Sequence, residues 1–353
     1  MQLNIQRTDL ARVLSSVGRV VESRNTIPIL GNVLLAAQDG ALRVTGTDLD
    51  IVATDTASAD VAASGALCVN AKLLTDIAKK AGAADVTLFE DNGQLIVKSG
   101  RSKFTLQTLD ASDFPDMNGG SYSNRFTIDL AAFVAPTTFA ISTEETRYYL
   151  NGVFLKGAGG KLTAVATDGH RLSRHVMDSD EIFDGIIIPR KTIGLLPKGT
   201  VTLAVSDSKV EITAGDFVIT SKLIDGTFPD YERVIPQNNQ NLVVVDRDAF
   251  LKAADRVSTV SSERGRAIKL SVAPDSVSFT VSNPDSGTAS DEIEAEYSGE
   301  PIDIGFNAAY LRDLFGVLPA GKATIAIADS GSPALFTSPA HDELTLVGMP
   351  MRV

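Results

Sequence analysis

The chain repeats itself three times, and nothing else in its 353 residues constrains the fold as tightly. The segment LRVTGTD at 42–48 matches LTAVATD at 162–168, with a weaker third copy, VSFTVSN, at 277–283. In each, apolar residues alternate along a strand that ends in a hydroxyl residue followed by Asp or Asn. A second block, VNAKLL at 69–74, IPRKTI at 188–193 and FNAAYL at 306–311, runs a strand into a helix. Asn70 and Asn307 suit helix N-caps, and Pro189 suits a first helical turn. A third block closes the first two units: Leu109-Asp110 before FPD at 114–116, and Ile224-Asp225 before FPD at 228–230. The matches recur at roughly 115–120 residues, the size of a whole domain rather than a solenoid repeat. Three units, 1–120, 121–239 and 240–353, therefore fill the chain, with polar, turn-rich boundaries near 118–123 and 237–241.

Each unit reads strand, helix, several strands, helix, several strands. The predicted helices are 8–21, 71–80, 130–140, 190–196, 247–260 and 308–318. The 3.6-residue period is clear in 247–260, through Phe250, Leu251, Ala254 and Val257. Segments such as 201–205, 210–213 and 218–223 alternate apolar with polar residues. That pattern predicts antiparallel sheets with one face buried against helices, an α+β fold.

A net charge of −12 argues at first against a polyanionic partner. The charge is segregated, however. On the helices and their first turns, Arg12, Arg19, Lys72, Lys79, Lys80, Arg190, Lys191, Lys198, Lys252, Arg256 and Arg312 outnumber Asp9, Glu22, Asp76, Asp129, Asp248, Asp255 and Asp313. Eleven against seven leaves about −16 for strands and loops. Helices tolerate Lys and Arg better than strands do, which is the plain explanation. The functional one is a basic helical surface facing phosphates, with acidic sheets turned away.

Several classes are excluded. Cys68 is the single cysteine, so neither an intramolecular disulfide nor a cysteine-based zinc site is expected. The N-terminus lacks a basic stretch followed by an apolar core, and apolar runs such as Ile186-Ile187-Ile188 are too short to cross a bilayer. A cytoplasmic protein without a membrane partner is the expectation. The three histidines, His170, His175 and His341, sit in no nucleophile-elbow or metalloprotease context. No phosphate-binding or dinucleotide-binding glycine pattern is present either, so neither catalysis nor a cofactor is expected. Asp168 has a repeat counterpart in Asp48, whereas His170 aligns with Asp50, so the shared feature is structural. A surface adhesion repeat would carry a secretion signal and lack basic helices, the reverse of what is found.

The segments RNTIPILGN at 24–32, YYLNG at 148–152, ATDGHRL at 166–172, FPDY at 228–231 and MPMRV at 349–353 resemble the bacterial sliding clamp family, the beta subunit of DNA polymerase III. The resemblance runs from the first residue to the last, with Val353 where the family commonly ends in Leu. It implies three tandem clamp domains per chain and a head-to-tail homodimer closing into a six-domain ring. Helices would line the hole and antiparallel sheets would form the rim. A clamp loader would open the ring with ATP, and the closed ring would slide on duplex DNA without sequence preference. Topology would hold the DNA, so weak mobile phosphate contacts suffice. Tethering the replicative polymerase alpha subunit raises its effective concentration at the primer end, which is processivity.

The resemblance also implies sites. A pocket between the second and third domains would take short peptides from the polymerase, the loader and other clamp-motif proteins. Its matching positions are Leu150, Thr167, Gly169, His170, Arg171, Leu172, Pro236, Val347, Met349, Pro350 and Met351, with Asn307 and Tyr310 nearby. Leu, Val, Pro and Met make an adaptable apolar groove, and glycine permits close backbone approach. Toward DNA it implies Arg24, Tyr148 and Tyr149, alongside Lys72, Lys79, Lys80, Lys191, Lys198, Lys252 and Arg256. Adjacent tyrosines on a strand point to opposite faces, so one of the two is expected to reach DNA. For ring closure, 103–106 is an edge-strand candidate with Phe104 and Leu106 as anchors, opposed by Thr259 and Val260. Arg101 and Lys103 could pair with Asp291, Glu292 or Glu294 of the neighbour. Thr259 stands where relatives carry a larger apolar residue, and Gly265 where some place an aromatic beside the pocket. Weaker closure and an altered peptide preference are the corresponding expectations.

Overall fold

A computed structural model describes residues 1–22, 26–115, 121–261 and 267–353. Arg24 and Gly265 lie outside these residues. The chain forms two compact units, one from Met1–Ala131 with Lys191–Leu223, the other from Ala132–Arg190 with Ile224–Val353.

Among the described residues, each unit carries one large antiparallel sheet, of 13 strands in the first and 12 in the second. In the first, Ile51–Ser58 pairs with Phe217–Lys222, placing Thr54 opposite Val218 and Ile51 opposite Ser221. In the second, Arg171–Asp178 pairs with His341–Gly348, placing Arg171 opposite Gly348 and His175 opposite Leu344. Both pairings join residues far apart in sequence, so each sheet continues from one repeat into another.

The helices are α1 (Arg7–Val17), α2 (Ala71–Lys80), α3 (Leu130–Val134), α4 (Arg190–Leu195), α5 (Arg247–Ser258) and α6 (Ala308–Val317). In α1, Leu10, Val13, Leu14 and Val17 are buried, and in α5, Phe250, Ala253, Ala254 and Val257. These spacings put one apolar stripe on the sheet. A Cβ on Gly46 would come within 2.8 Å of Val17 Cγ1, so glycine lets α1 close on its strand. In the second unit Phe250 stacks on Phe315 with ring centroids 3.8 Å apart, joining α5 to α6.

The two asparagines expected as caps do cap. Asn70 Oδ1 accepts from the Leu73 amide at 2.9 Å, and Asn307 Oδ1 from Ala309 at 2.8 Å and Tyr310 at 3.4 Å. Asp246 caps α5 in the same way, accepting from the Ala249 amide at 2.8 Å. Pro189 ends its strand immediately before α4 instead of entering the helix. The predicted 130–140 helix is α-helical only to Val134 and continues as a 3-10 helix over Ala135–Ala140. Pro136 accounts for the change, since it lacks the amide donor of a regular α-turn. Helix 8–21 ends at Val17, leaving Arg19 in the following turn and Glu22 past it, and Lys198 lies beyond α4. Arg7 and Arg247, which open α1 and α5, add to the basic residues on the helices.

The threonine–aspartate motif builds the same turn twice. Thr47 Oγ1 donates to the Ile51 carbonyl at 2.9 Å, while Asp48 Oδ1 accepts from the amides of Asp50 and Ile51 at 3.0 and 2.7 Å. Thr167 donates to the Arg171 carbonyl at 2.8 Å, and Asp168 accepts from His170 and Arg171 at 2.9 and 3.0 Å. In the third copy Asn283 Oδ1 accepts from Asp285 at 3.0 Å, in a shorter turn that closes at Gly287. Asp168 is thus a turn former rather than an acid awaiting a substrate.

Candidate partner cleft and nucleic-acid interface

Within the second unit, the 168–171 turn stands beside a cleft of about 310 Å³. Its floor is an apolar cluster that includes Leu150, Leu172, Phe228 and Val347, all less than a tenth exposed. Phe228 stacks on Phe154 at 4.8 Å. Above the floor, Met349 at 39% exposed and Val234 at 50% offer apolar surface to solvent. The 3-10 helix Glu145–Leu150 supplies Arg147 and Tyr149 to one wall, and Pro229, Asp230 and Tyr231 line the cleft as well. Burial pushes the Tyr231 hydroxyl above its ordinary pKa.

Gly169 holds φ at +85°, and a Cβ there would fall on the Arg147 guanidinium. Arg147 is held by a two-point contact to Glu144, Nε at 2.8 Å and Nη2 at 2.7 Å from its carboxylate oxygens. That contact keeps the Glu144 carboxyl below its usual pKa range. Arg171 is fully committed. It pairs with Asp168 at 3.1 Å and with Asp313, donates to the Phe139 carbonyl at 2.7 Å, and lies 4.4 Å from the Tyr310 ring centroid. It therefore acts chiefly as a strut, with part of its side chain on the cleft wall.

Of the residues expected in the pocket, Leu150, Thr167, Gly169, Arg171, Leu172, Val347 and Met349 come together. Others do not line this cleft. His170 turns onto the Tyr310 ring, centroids 6.1 Å apart, and Asn307 spends its side chain on the α6 cap. Pro350 and Met351 line a separate cavity near Gly305, and Pro236 is half-buried outside the cleft lining. Arg147, Tyr149, Pro229, Asp230, Tyr231 and Val234 were not expected there. The repeated FPD block was the available signal for two of them, Pro229 and Asp230, and the FPDY resemblance for Tyr231.

The basic residues divide more sharply. Tyr148 and Tyr149 sit on a 3-10 helix rather than a strand, so helical rotation and not strand alternation separates them. Tyr148 is 53% exposed, while Tyr149 turns into the cleft. Lys79, Lys80, Lys198 and Lys252 are exposed, and Lys72 pairs with Asp76 one turn along α2 at 2.6 Å. Lys191 is not a free cation. It contacts Asp48 at 2.5 Å and Glu22 at 2.7 Å. Burial pulls its pKa down, but the hydrogen bonds to Asp48 and Glu22 outweigh this and leave it raised. Arg256 likewise pairs with Asp291 of its own chain at 2.5 Å, and that bond keeps the Asp291 carboxyl below its usual range.

Among the described residues, two strands present partly open edges. Ser102–Leu109 pairs along its length with Gln94–Ser99, but on its other side only Thr108 and Leu109 are paired. Gly287–Glu296 pairs with Ser276–Asn283, and on its other side only Ala295 and Glu296. The first edge carries Lys103 and a 36% exposed Phe104, with Leu106 buried and Arg101 at the preceding turn. The second carries Asp291, Glu292 and Glu294, of which Glu292 accepts from Ser278 Oγ at 2.7 Å. Thr259 is exposed and Val260 half-buried just past α5.

The DNA polymerase III beta subunit family matches nearly the whole chain: its N-terminal domain over 1–118, its central domain over 127–230 and its C-terminal domain over 232–352. The chain belongs to the beta sliding clamp family. The beta sliding clamp of Caulobacter vibrioides is 44% identical over 372 aligned positions, and that of Pseudomonas putida 38% over 367, each covering both chains in full. Among solved structures, the sliding clamp of Bartonella birtlesii bound to griselimycin is 40% identical with a TM-score of 0.97. The DNA polymerase sliding clamp of Caulobacter crescentus is 43% identical with a TM-score of 0.95, and both structures cover the two chains in full. The α+β architecture is thus that of three clamp domains. The clamp is a non-catalytic processivity subunit that serves DNA replication. No helix among the described residues is long and apolar enough to cross a membrane.

Proposed function

We propose that the cleft beside the 168–171 turn is where this clamp holds short peptides of its partners, the replicative polymerase alpha subunit, the clamp loader and other clamp-motif proteins. The observation that carries the reading is the coincidence of an apolar floor with exposed Met349 and Val234 beside a glycine turn that seats the Arg147 guanidinium at the wall. Methionine adapts its shape to different apolar side chains, which suits a groove with several clients. Arg147 at the wall adds a charge-assisted donor toward a peptide carbonyl or carboxylate. Met349→Ala is the direct test, because the side chain is exposed and its loss leaves the floor intact. Affinity for a clamp-motif peptide, read by fluorescence anisotropy, is expected to fall about tenfold, equivalent to ~1.4 kcal/mol. Unchanged affinity would move the docking site elsewhere.

Ring closure belongs to the same reading. The two edges are complementary: Arg101, Lys103 and Phe104 on one, and Asp291, Glu292 and Glu294 on the other. Two copies meeting head to tail through them would bury both edges in one continued sheet and leave no free end. Domains of 1–120, 121–239 and 240–353 then give six around the ring. Duplex DNA would be met by the exposed Lys79, Lys80, Lys198 and Lys252 together with Tyr148, while Lys191 and Arg256 contribute mainly to the fold. Such contacts neutralise phosphates without reading bases, which is what sliding needs. The cytoplasm, where replication takes place, is the compartment this role implies.

A further inference from the structure

Two of the three histidines in the chain converge on one point of the second unit. His175, His341 and Glu343 each offer a ligating atom, and these atoms all lie within 4.8 Å of one another. The rings of His175 and His341 stand edge to face, centroids 5.2 Å apart at 88°. His341 Nδ1 lies 2.9 Å from Glu343 Oε1. His175 Nδ1 is 2.7 Å from the Phe133 carbonyl oxygen. A carbonyl can only accept, so that nitrogen carries the proton and Nε2 keeps its lone pair. This is how metal-binding histidines are commonly oriented, with one ring nitrogen tied to a carbonyl and the other turned to the ion.

We propose that His175, His341 and Glu343 form a binding site for a divalent cation of the zinc class. Two imidazoles and one carboxylate are a recurrent zinc ligand set, completed by water in the fourth position. Tetrahedral ligands at about 2.0–2.1 Å from the ion stand roughly 3.3–3.4 Å apart. The observed spread of 4.8 Å is therefore closed by side-chain rotation of about an ångström. Binding would replace the His341–Glu343 contact by a coordinate bond from each residue to the ion.

The position gives such an ion a purpose. His175 lies on Arg171–Asp178, and His341 and Glu343 on His341–Gly348, the two strands that pair with each other. The far ends of the same strands carry Leu172 and Val347 on the floor of the peptide cleft. An ion here would staple the pair three to six residues from those side chains and steady the cleft. The metal site itself does not depend on the docking reading, and its test uses no peptide.

The experiment is calorimetric titration of the metal-free, tag-free full chain with Zn²⁺ near neutral pH, with Co²⁺ absorption as a second probe. One equivalent is expected to bind, with visible bands of a low-symmetry Co²⁺ complex. His341→Gln and Glu343→Gln, both at the rim, should each weaken binding at least about tenfold and abolish the rise in melting temperature that Zn²⁺ gives the unaltered chain. His170→Gln should change neither. His175→Gln touches the packing on Phe133, so its fold is checked by circular dichroism before its titration counts. Absence of saturable binding at about 100 μM Zn²⁺, far weaker than a structural zinc site, would overturn the proposal. Binding that survives both rim substitutions would overturn it as well.

Discussion

Gly169 shows how much of the site rests on single residues. Its φ of +85° lies where a side chain costs about 1–2 kcal/mol, and its missing Cβ makes room for the Arg147 guanidinium. Gly169→Ala is expected to lower stability by that amount and to weaken peptide binding, because Arg147 must leave its seat against Glu144. Urea denaturation alongside anisotropy separates the two effects. Cys68 makes a pH prediction. It is fully buried, and desolvation, with Asp110 and Asp113 adding to it, pushes the thiol up from 9.0 to about 12. The folded thiol binds its proton more tightly than the unfolded one. Its contribution to stability is therefore complete below pH 9.0 and is lost as pH rises toward 12. Cys68→Ser should flatten the fall in melting temperature over that window, and an unchanged slope would show that the thiol does not titrate with unfolding. At this scale the sequence was legible where a residue's role is local. Asn70, Asn307 and the Thr47/Asp48 and Thr167/Asp168 turns act within four residues of themselves, so their types and spacing announce them. The ion pairs of Lys191 were not legible because Asp48 and Glu22, which hold it, are distant in sequence. The pairing of His175 with His341 and Glu343 was hidden by the same kind of distance.

Helices and strands carry the repeat, and their ends can be tested individually. Asn70→Ala removes one acceptor from the start of α2 and should cost about 1 kcal/mol. Asn307→Ala removes an acceptor that serves two amides of α6 and should cost at least as much, both read as shifts in the urea midpoint. If Asn307→Ala instead left stability unchanged and weakened peptide binding, its role would lie in the pocket after all. Element type was readable from periodicity in α5, whose apolar face is unbroken, and from the repeated strand-to-helix block in α2. The misreadings fell where one residue changes the backbone: Pro136 turns the second half of the 130–140 helix into a 3-10 helix, and Tyr148-Tyr149 lies in a short 3-10 turn that alternation mimics.

At the scale of the whole molecule, the repeat explains why a chain with net charge −12 can serve DNA. Basic side chains concentrate on the helices, and acidic ones on strands such as Gly287–Glu296. The same segregation gives the two open edges opposite charge, as the proposed closure through them requires. Arg101→Glu with Lys103→Glu should therefore shift the sedimentation profile from dimer toward monomer, more strongly at low salt. A profile insensitive to both residues would remove these charges from the interface. The three-domain plan was legible from sequence because a repeat of whole domains leaves matched blocks at matched intervals. Which face of each domain meets DNA was not, since individual lysines are alike in sequence whether paired or free.

The central claim is that this chain works by encircling DNA rather than by gripping it. Retention after loading on nicked circular DNA, compared with the same DNA linearised, tests it most directly. The clamp should stay on the circle at salt concentrations that dissolve simple phosphate contacts, and run off the ends of the linear form. Equal retention on both, lost together as salt rises, would contradict it.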